Sequence, residues 1–280
     1  VYKRQVFGRR HRIADFNESQ CIIHFRFRKD DLNVLVSQLW PRLNLEGTYD
    51  RIKCIHSYTC PFETLILILL YRFSRPRTYR PEMEEFFGMR ITHLSASLHT
   101  IVEAMYELAV PYFTNPAIFA FKMHYYAAKI FDKNGLLQNL WGFIDGTLRK
   151  TSRPVYFQKE AYSGHKRCHG LKFQTAVTPD GLIACMWGPM NGNRHDSHML
   201  RESHLLGQLT ELMPVNGVTY SLYGDPAYPQ SIYIFGGYWH PQAGSPQALW
   251  NTLMSKVREV VEWGYNQIVQ HWKYLDCLLY

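Results

Sequence analysis

Three acidic residues, each in a different sequence setting, constrain the fold of this chain more than any other feature. Asp145 follows the apolar run in FIDGT, Asp225 follows the apolar run in LYGDPAYP, and Glu262 lies within KVREVVEWGY. The two short apolar runs predict buried strands, and the spacing of apolar residues around Glu262 predicts an amphipathic helix. A fold that unites these carboxylates must bring two strand ends and one helix together.

The segments around the acids follow the order strand, long insertion, hairpin, helix, strand, loop and helix. We predict strands over 140–146, 172–178, 182–188 and 218–224, a helix that opens at Asp196, and a last helix over 251–275. Pro179-Asp180-Gly181 is typical of a hairpin turn. This order favours an α/β domain over residues 136–280, an RNase H-like catalytic domain with a mixed sheet flanked by helices.

Residues 1–132 have the pattern of an α-helical N-terminal region. Helices are predicted over 31–40, 61–73, 81–87, from Ser95 or Ser97 to Leu108, and over 117–132, with Ser95 as a candidate N-cap of the fourth. Gly88 separates two of these helices, and Arg75, Arg77, Arg80 and Arg90 lie around them. The segment is therefore either a helix-turn-helix or a helical bundle with a basic surface.

Composition sets broad limits on the partners of the chain. Its 31 Lys and Arg exceed its 23 Asp and Glu, and the resulting charge of +8 weakly favours a polyanionic partner. No apolar run approaches the roughly 20 residues that span a bilayer, so we expect no membrane partner.

The six cysteines lack a CxxC pair, which favours reduced thiols over a zinc site. The chain begins at Val1, and we expect native sequence to be missing at its ends.

The acids suggest a reaction. Carboxylates are acceptor-only oxygen ligands that suit a hard cation such as Mg²⁺. Two such ions can hold both the attacking and the leaving oxygen of a phosphodiester. Asp145, Asp225 and Glu262 therefore predict a metal-dependent nuclease or strand-transfer enzyme that acts on DNA. Asp196 is either a further ligand or the N-cap of its helix.

A basic segment lies between the first two predicted strands of this domain. Its lysines and arginines are predicted either to contact DNA phosphates or to form a solvated loop: Arg149, Lys150, Arg153, Lys159, Lys166 and Arg167. Tyr156, Phe157 and Tyr162 are interspersed among these charges. The aromatic residues either stack on unpaired bases or pack the loop onto the domain.

An ordered set of motifs resembles a known family. IDGTLRKTSRP, YSGHKRCHGLKFQTAVTPDGLI, GPMNGNRHDSHMLRES, LYGDPAYP and VREVVEWGYN are similar to the catalytic region of PIF/Harbinger-type transposases of the DDE superfamily. PFETLILILLYRFSRPRTYRPEMEEFFG resembles the helical region that precedes this domain in that family. The resemblance covers roughly residues 60–275.

The resemblance implies a nuclear enzyme that cuts and joins DNA at transposon ends with Mg²⁺, or with Mn²⁺ in its place. By matching motif, Asp145, Asp225 and Glu262 would be the catalytic residues and metal ligands, and Asp196 a fourth ligand. The resemblance also implies a separate Myb-like DNA-binding partner protein and self-association into a homo-oligomer.

Two features depart from the family pattern. Trp263 follows Glu262 where the family commonly has Arg, and the segment after Trp263 matches the family's usual G-x-x-K-x-R-F theme only loosely. Separately, Glu259 competes with Glu262 for the role of third acid. We prefer Glu262 because the R-x-x-V-E register falls on Arg258, Val261 and Glu262. The departures leave open a catalytically silent, transposase-derived DNA-binding protein, and a nuclease without a transposition role is a further alternative.

Overall fold

The computed structural model describes residues 11–75, 81–133 and 136–276, and within the last helix it leaves out the side chains of residues 260–264. The chain divides into two compact units. Among the described residues, one unit lies within 11–110 and 269–276, and the other lies within 111–268.

The first unit is mainly helical. Its elements are α1 (Glu18–Phe25), α2 (Lys29–Leu39), β1 (Gly47–Thr48), β2 (Arg51–Lys53), β3 (Thr59–Cys60), α3 (Phe62–Ser74), α4 (Glu82–Phe87) and most of α5 (Ile91–Phe113). The three short strands form an antiparallel sheet in the order β1-β2-β3. Helix α3 is apolar on nearly every face and buried along almost its whole length, which makes it the centre of this core.

The second unit is a mixed α/β structure. Its elements are α6 (Met123–Asp132), β4 (Leu140–Lys150), α7 (Gln158–Ala161), β5 (Tyr162–Ser163), β6 (Cys168–Val177), β7 (Ile183–Asn191), α8 (Asp196–Glu202), α9 (Leu205–Leu212), β8 (Ser221–Gly224), β9 (Ile234–Gly236) and α10 (Pro246–His271). Six strands form one sheet in the order β5-β6-β4-β8-β9, with β7 also paired to β6. The predicted mixed sheet flanked by helices is confirmed.

Both antiparallel and parallel pairs occur in this sheet. β4 and β6 are antiparallel, as are β6 and β7, whereas β8 runs parallel to both β4 and β9. The β6–β7 hairpin closes where Gly181 donates its N–H to the Thr178 carbonyl at 2.9 Å. Gly181 has φ of +83°, a conformation that glycine adopts without steric cost.

Helices cover both faces of the sheet. On one face Trp141, Ile144 and Leu222 belong to a core with residues of α8 and α9. On the other face Phe143 and Tyr223 share a core with Met254 and Val257 of α10. Because successive side chains of a strand point to opposite faces, Asp145 lies on the same face as Phe143, under α10. The packing of α10 thus determines what surrounds this aspartate.

Several predicted boundaries in the helical segments were wrong. Helix α5 begins at Ile91 rather than Ser95, because the side chain of Glu84 accepts the Ile91 N–H at 2.7 Å and satisfies the first turn. Pro111 lies inside α5 instead of ending it. Residues 116–122 form a 3₁₀ helix before α6, with Pro116 at its start. The predicted closing turn at Asn134-Gly135 lies outside the described residues.

Four further corrections concern the second unit. The helix predicted to open at Asp196 is two helices, since His204 has φ of +54° and interrupts the helix between α8 and α9. Strand β8 begins at Ser221 instead of residue 218, and β9 lies in a segment predicted to be a loop. β4 continues to Lys150 because β6 pairs with it over that length.

No helix in the described ranges is long and apolar enough to cross a membrane. Cys21, Cys54, Cys60, Cys168 and Cys185 are free thiols, whereas Cys277 lies outside the described residues.

Candidate active site

The register of two parallel strands brings two of the predicted acids together. In the β4–β8 pair, Phe143 lies opposite Tyr223. Asp145, within β4, and Asp225, directly after the end of β8, each come two residues after that matched pair. Because the strands are parallel neighbours in this register, the two aspartates lie at the same level along the strands, next to each other.

The environment of Asp145 disfavours its charge. Burial raises the pKa of Asp145 from 3.8 to about 6, and the charges of Asp225 and Asp196 add to this increase. Arg258 and the N–H of Gly146, which donates to Oδ1 of Asp145 at 2.9 Å, oppose it. Three carboxyl groups are therefore close enough to repel one another, and a bound cation would relieve that repulsion.

Asp225 has a similar environment. Burial is the largest cause that raises its pKa, followed by the charge of Asp196. The N–H of Ala227 donates to Oδ1 of Asp225 at 3.0 Å, and this bond, Arg258 and Lys172 lower the pKa. Asp225 therefore both begins a turn and contributes a carboxylate to the group.

Asp196 joins the group from a helix. It is the first residue of α8, and its carboxylate lies against the backbone of Gly146, where any Cβ would overlap it. Nζ of Lys172 donates to Oδ1 of Asp196 at 2.8 Å and to the Arg194 carbonyl at 2.9 Å. The prediction of Asp196 as N-cap was wrong, because His195 holds that position and no side chain caps the helix. Because Gly146 of the IDGT motif has no side chain, the Asp196 carboxylate has room beside it.

The third predicted acid, Glu262, lies on α10, but its side chain lies outside the described residues. Described side chains lie on either side of it along α10. Arg258, four residues earlier, acts electrostatically on Asp145 and Asp225, and Tyr265, three residues later, lines a cleft with Asp145. Residues three or four apart are neighbours on a helix surface. The competing acid, Glu259, is exposed.

Two tyrosines of the site were not predicted from the sequence. Tyr228 and Tyr265 are buried to the extent that their hydroxyl groups have no contact with solvent, and neither hydroxyl has a hydrogen-bond partner among the described residues. Burial raises the pKa of both phenols, and the charge of Asp145 raises them further, as do Asp196 and Asp225 for Tyr228. Both are therefore neutral hydrogen-bond donors near the acids. Tyr228 lies in LYGDPAYP, so the motif itself carried a signal for it.

A cleft of about 600 Å³ opens beside Asp145. Its lining comes from the second half of β4, from the β5–β6 turn and from α10: Asp145, Gly146, Thr147, Leu148, Lys150, Lys166, Tyr265 and Asn266. Lys150 and Lys166 are both exposed, so two cationic groups face the same opening as the aspartate.

The other predicted phosphate-binding residues differ in their contacts and in their exposure to solvent. The Arg149 guanidinium lies 5.8 Å from the ring centroid of Tyr265 and is half-buried. Arg153 donates from Nε to Oε1 of Gln158 at 2.8 Å. Lys159 and Arg167 are exposed, and neither lines the cleft. Lys150 and Lys166 thus line the cleft together with Asp145, whereas the other predicted cations do not line it.

The donor chemistry of the site suits a divalent metal, but its geometry is incomplete in the described part of the chain. Within the residues whose side chains the structure describes, no three His, Cys, Asp or Glu residues form a group that could hold a metal ion. Lys172 already engages one oxygen of Asp196, and the side chain of Glu262 is not among those described. The role of Glu262 as a metal ligand stays a prediction.

Residues 144–279 match the family model of the DDE superfamily endonucleases. The matched span begins one residue before Asp145 and contains Asp225, Asp196 and Glu262. This match, over just under half of the chain, agrees with the broad part of the resemblance seen in the motifs, a nuclease domain of the DDE superfamily. No curated protein and no solved structure matches the chain.

Proposed function

We propose that this chain is a DDE-type endonuclease of the PIF/Harbinger transposase type, which cleaves phosphodiester bonds in DNA with Asp145, Asp225 and Glu262. The observation that carries the proposal is the β4–β8 register, in which Asp145 and Asp225 each follow the matched pair of Phe143 and Tyr223 by two residues. The match of residues 144–279 to DDE superfamily endonucleases supports the same reaction class.

An RNase H-like fold is part of this proposal. The mixed sheet has a long first strand, an antiparallel hairpin partner and a parallel strand that follows a helical connection. Helix α10 follows the last strand and covers the face that carries Asp145. This arrangement supports a nucleotidyl-transfer domain with acids on β4, after β8 and on α10.

Asp145, Asp225 and Glu262 would hold Mg²⁺, or Mn²⁺ in its place, with Asp196 as a fourth ligand. When bound, such ions would lower the pKa of an attacking water and stabilise charge on the leaving 3′-oxygen. The mutual repulsion of Asp145, Asp225 and Asp196 favours a cation among them. For Asp196 to bind metal with both oxygens, its carboxylate must leave the ammonium of Lys172.

The protein groups around these acids have separate tasks in the proposed reaction. Lys150 and Lys166 would bind phosphates of the DNA backbone at the cleft, which positions the scissile bond beside Asp145. The buried hydroxyl groups of Tyr228 and Tyr265 would donate hydrogen bonds to the carboxylates or to a phosphate oxygen. The remaining cations, Arg149, Arg153, Lys159 and Arg167, would extend the phosphate contacts away from the cleft.

The biological setting of the proposal comes from the motifs. As a transposase-type enzyme, the protein would work in the nucleus, join as well as cut DNA, and assemble as a homo-oligomer. A Myb-like protein would recognise the DNA ends together with it. The helices α4 and α5, separated by Gly88 with φ of +58°, would supply a helix-turn-helix contact of its own.

One observation favours a second candidate, a catalytically silent DNA-binding protein derived from a transposase. Arg258 acts on both Asp145 and Asp225, and Lys172 is bonded to Asp196. Each of these three aspartates thus has a cationic side chain near it. If these cations remain in place on DNA, they would compete with Mg²⁺ for the carboxylates.

The test is nicking of supercoiled plasmid DNA with Mg²⁺ or Mn²⁺, by the unaltered protein and by Asp225→Ala. Activity that is lost in Asp225→Ala, and in Asp145→Ala, would support the nuclease. Glu211→Ala is a matched control, since Glu211 is an exposed acid on α9. Equal nicking by the unaltered protein and Asp225→Ala would refute the assigned site.

Two further results separate the candidates. DNA binding without metal-dependent nicking by the unaltered protein would favour the silent DNA-binding protein. A strand-joining assay with a pre-cleaved 3′-hydroxyl end distinguishes a transposase from a simple nuclease, because only the transposase would produce a joined product.

A further inference from the structure

Three consecutive apolar side chains extend into solvent from the loop between β4 and β5. Val155, Tyr156 and Phe157 retain 80%, 77% and 78% of their full accessibility. Tyr156 and Phe157 therefore do not pack the loop onto the domain, which was one of the two alternatives from the sequence. Contiguous exposed apolar groups of this kind mark interaction sites. We name these three residues the aromatic tip.

The base of the loop is fixed from both ends. Thr151 donates its N–H to the His169 carbonyl at 3.0 Å, and Tyr162 pairs with the same His169 in the β5–β6 register. The N–H of Asn193 donates to the Glu160 carbonyl at 3.1 Å, which ties α7 to the segment after β7. The aromatic tip thus projects from a loop whose two ends are held by hydrogen bonds. A loop held in this way loses less conformational entropy when it binds a partner.

The tip itself has a defined local structure. Arg153 donates from Nε to Gln158 Oε1 at 2.8 Å, a bond that spans the three residues of the tip. The carbonyl of Phe157 accepts the Ala161 N–H at 3.1 Å, which begins α7. Phe157 has φ of +57°, which is rare for an aromatic residue and costs free energy. Strained backbone of this kind is common at binding sites, and here it presents an exposed aromatic side chain.

The charge around the tip identifies the class of partner. The segment 149–170 carries six lysines and arginines but a single acid, Glu160. Two of the six, Lys150 and Lys166, line the cleft with Asp145. One basic segment therefore borders the cleft and also carries the tip, so a polyanion bound at the cleft would have phosphates along the loop.

We propose that the aromatic tip binds unpaired DNA bases by stacking, with Tyr156 and Phe157 as the platform. This inference rests on the proposed function, because it takes the strand at the cleft to be DNA. Aromatic rings stack on any base, so the contact needs no particular sequence. The surrounding cations would hold the backbone of the same strand. Partial unpairing beside the scissile phosphate would then be stabilised by the protein.

The experiment measures binding in EDTA, where no metal-dependent cleavage occurs. Two DNA duplexes of one sequence are compared, fully paired or with a short bubble that contains 2-aminopurine. The unaltered protein should prefer the bubble and quench the 2-aminopurine fluorescence. Tyr156→Ala and Phe157→Ala should each bind the bubble about tenfold more weakly and leave duplex binding within about twofold. Both residues are exposed, and circular dichroism verifies that the variants fold.

Matched variants distinguish ring stacking from a general apolar contact. Phe121→Ala removes a 69% exposed ring outside the basic segment and should change nothing. Phe157→Leu and Tyr156→Leu keep an apolar group but remove the ring. If these leucine variants retain full bubble preference, a general apolar contact accounts for it and the stacking proposal is overturned. Equal affinity of the unaltered protein for bubble and duplex also overturns it.

The outcome is separate from that of the nuclease proposal. A protein that nicks plasmid in an Asp225-dependent way but shows no bubble preference refutes the stacking platform alone. A protein that prefers the bubble through Tyr156 and Phe157 but never nicks DNA refutes the nuclease alone.

Discussion

Asp145→Asn should stabilise the metal-free protein at neutral pH, although Asp145 is a predicted catalytic residue. Burial is the main reason why the pKa of Asp145 rises from 3.8 to about 6 in the folded protein. One pKa unit corresponds to about 1.4 kcal/mol, so the ionised carboxylate lowers the free energy of unfolding by about 3 kcal/mol. Asparagine has nearly the same shape and carries no charge, so it removes this penalty.

The sign of the pH dependence follows from the raised pKa. The folded protein holds the Asp145 proton more tightly than the unfolded chain does, so this group favours folding at low pH. The contribution is lost as the pH rises from 3.8 through about 6. The variant should therefore gain about 3 kcal/mol at about pH 7.5 but only about half as much at about pH 5.

Urea unfolding in EDTA, followed by circular dichroism at both pH values, measures this gain. Asp180→Asn is a control of opposite sign. Although burial raises the pKa of Asp180, hydrogen bonds from Thr178 and Tyr126 outweigh it and lower the pKa, so that variant should be destabilised. Mg²⁺ should raise the thermal midpoint of the unaltered protein more than that of Asp145→Asn.

Two results would refute this reasoning. A loss of stability in Asp145→Asn at about pH 7.5 would mean that Arg258 depends on the charge of Asp145 more than burial opposes it. A gain of equal size at both pH values would mean that titration of Asp145 is not its cause.

Three further predictions concern the same site. Gly146→Ala should abolish nicking, because its Cβ would overlap the carboxylate of Asp196, and thermal melting should show a stability loss of about 1–3 kcal/mol. Lys150→Gln and Lys166→Gln should each reduce the dependence of log affinity for DNA on log salt by about one, as measured by fluorescence anisotropy; an unchanged slope would contradict phosphate contacts. Tyr228→Phe should leave urea stability unchanged or slightly raised, since the hydroxyl has no partner among the described residues, yet reduce nicking severalfold; a loss above about 1 kcal/mol would indicate a bond within the folded protein.

The sequence predicted the strands that carry Asp145 and Asp225 because each ends a short apolar run that has to be buried. It also predicted the β6–β7 turn, since Pro179-Asp180-Gly181 has strong local preferences. Local sequence patterns gave wrong element boundaries where contacts with residues distant in the sequence determine the structure. The start of α5 depends on the side chain of Glu84. β9 has only three residues, and its pairing with β8 stabilises it.

The contacts around the acids were the features that the sequence predicted least well. The bond between Lys172 and Asp196 joins β6 to α8, and no spacing rule connects those residues. The burial of the Tyr228 hydroxyl beside the acids depends on how two separate segments pack. The catalytic roles of Asp145, Asp225 and Glu262 stay predictions.

The β4–β8 register also has a consequence for the life of the nascent protein. Asp145 and Asp225 meet only after about 80 residues of intervening chain have folded back, which costs about 4 kcal/mol in loop-closure entropy. Until β8 has been synthesised and has docked beside β4, the two carboxylates have no fixed relation to each other. An immature or prematurely terminated chain that lacks β8 would thus carry the basic segment and the first acid without an assembled site. Completion of the parallel strand pair would act as a safeguard that delays any cutting of DNA until the domain is whole.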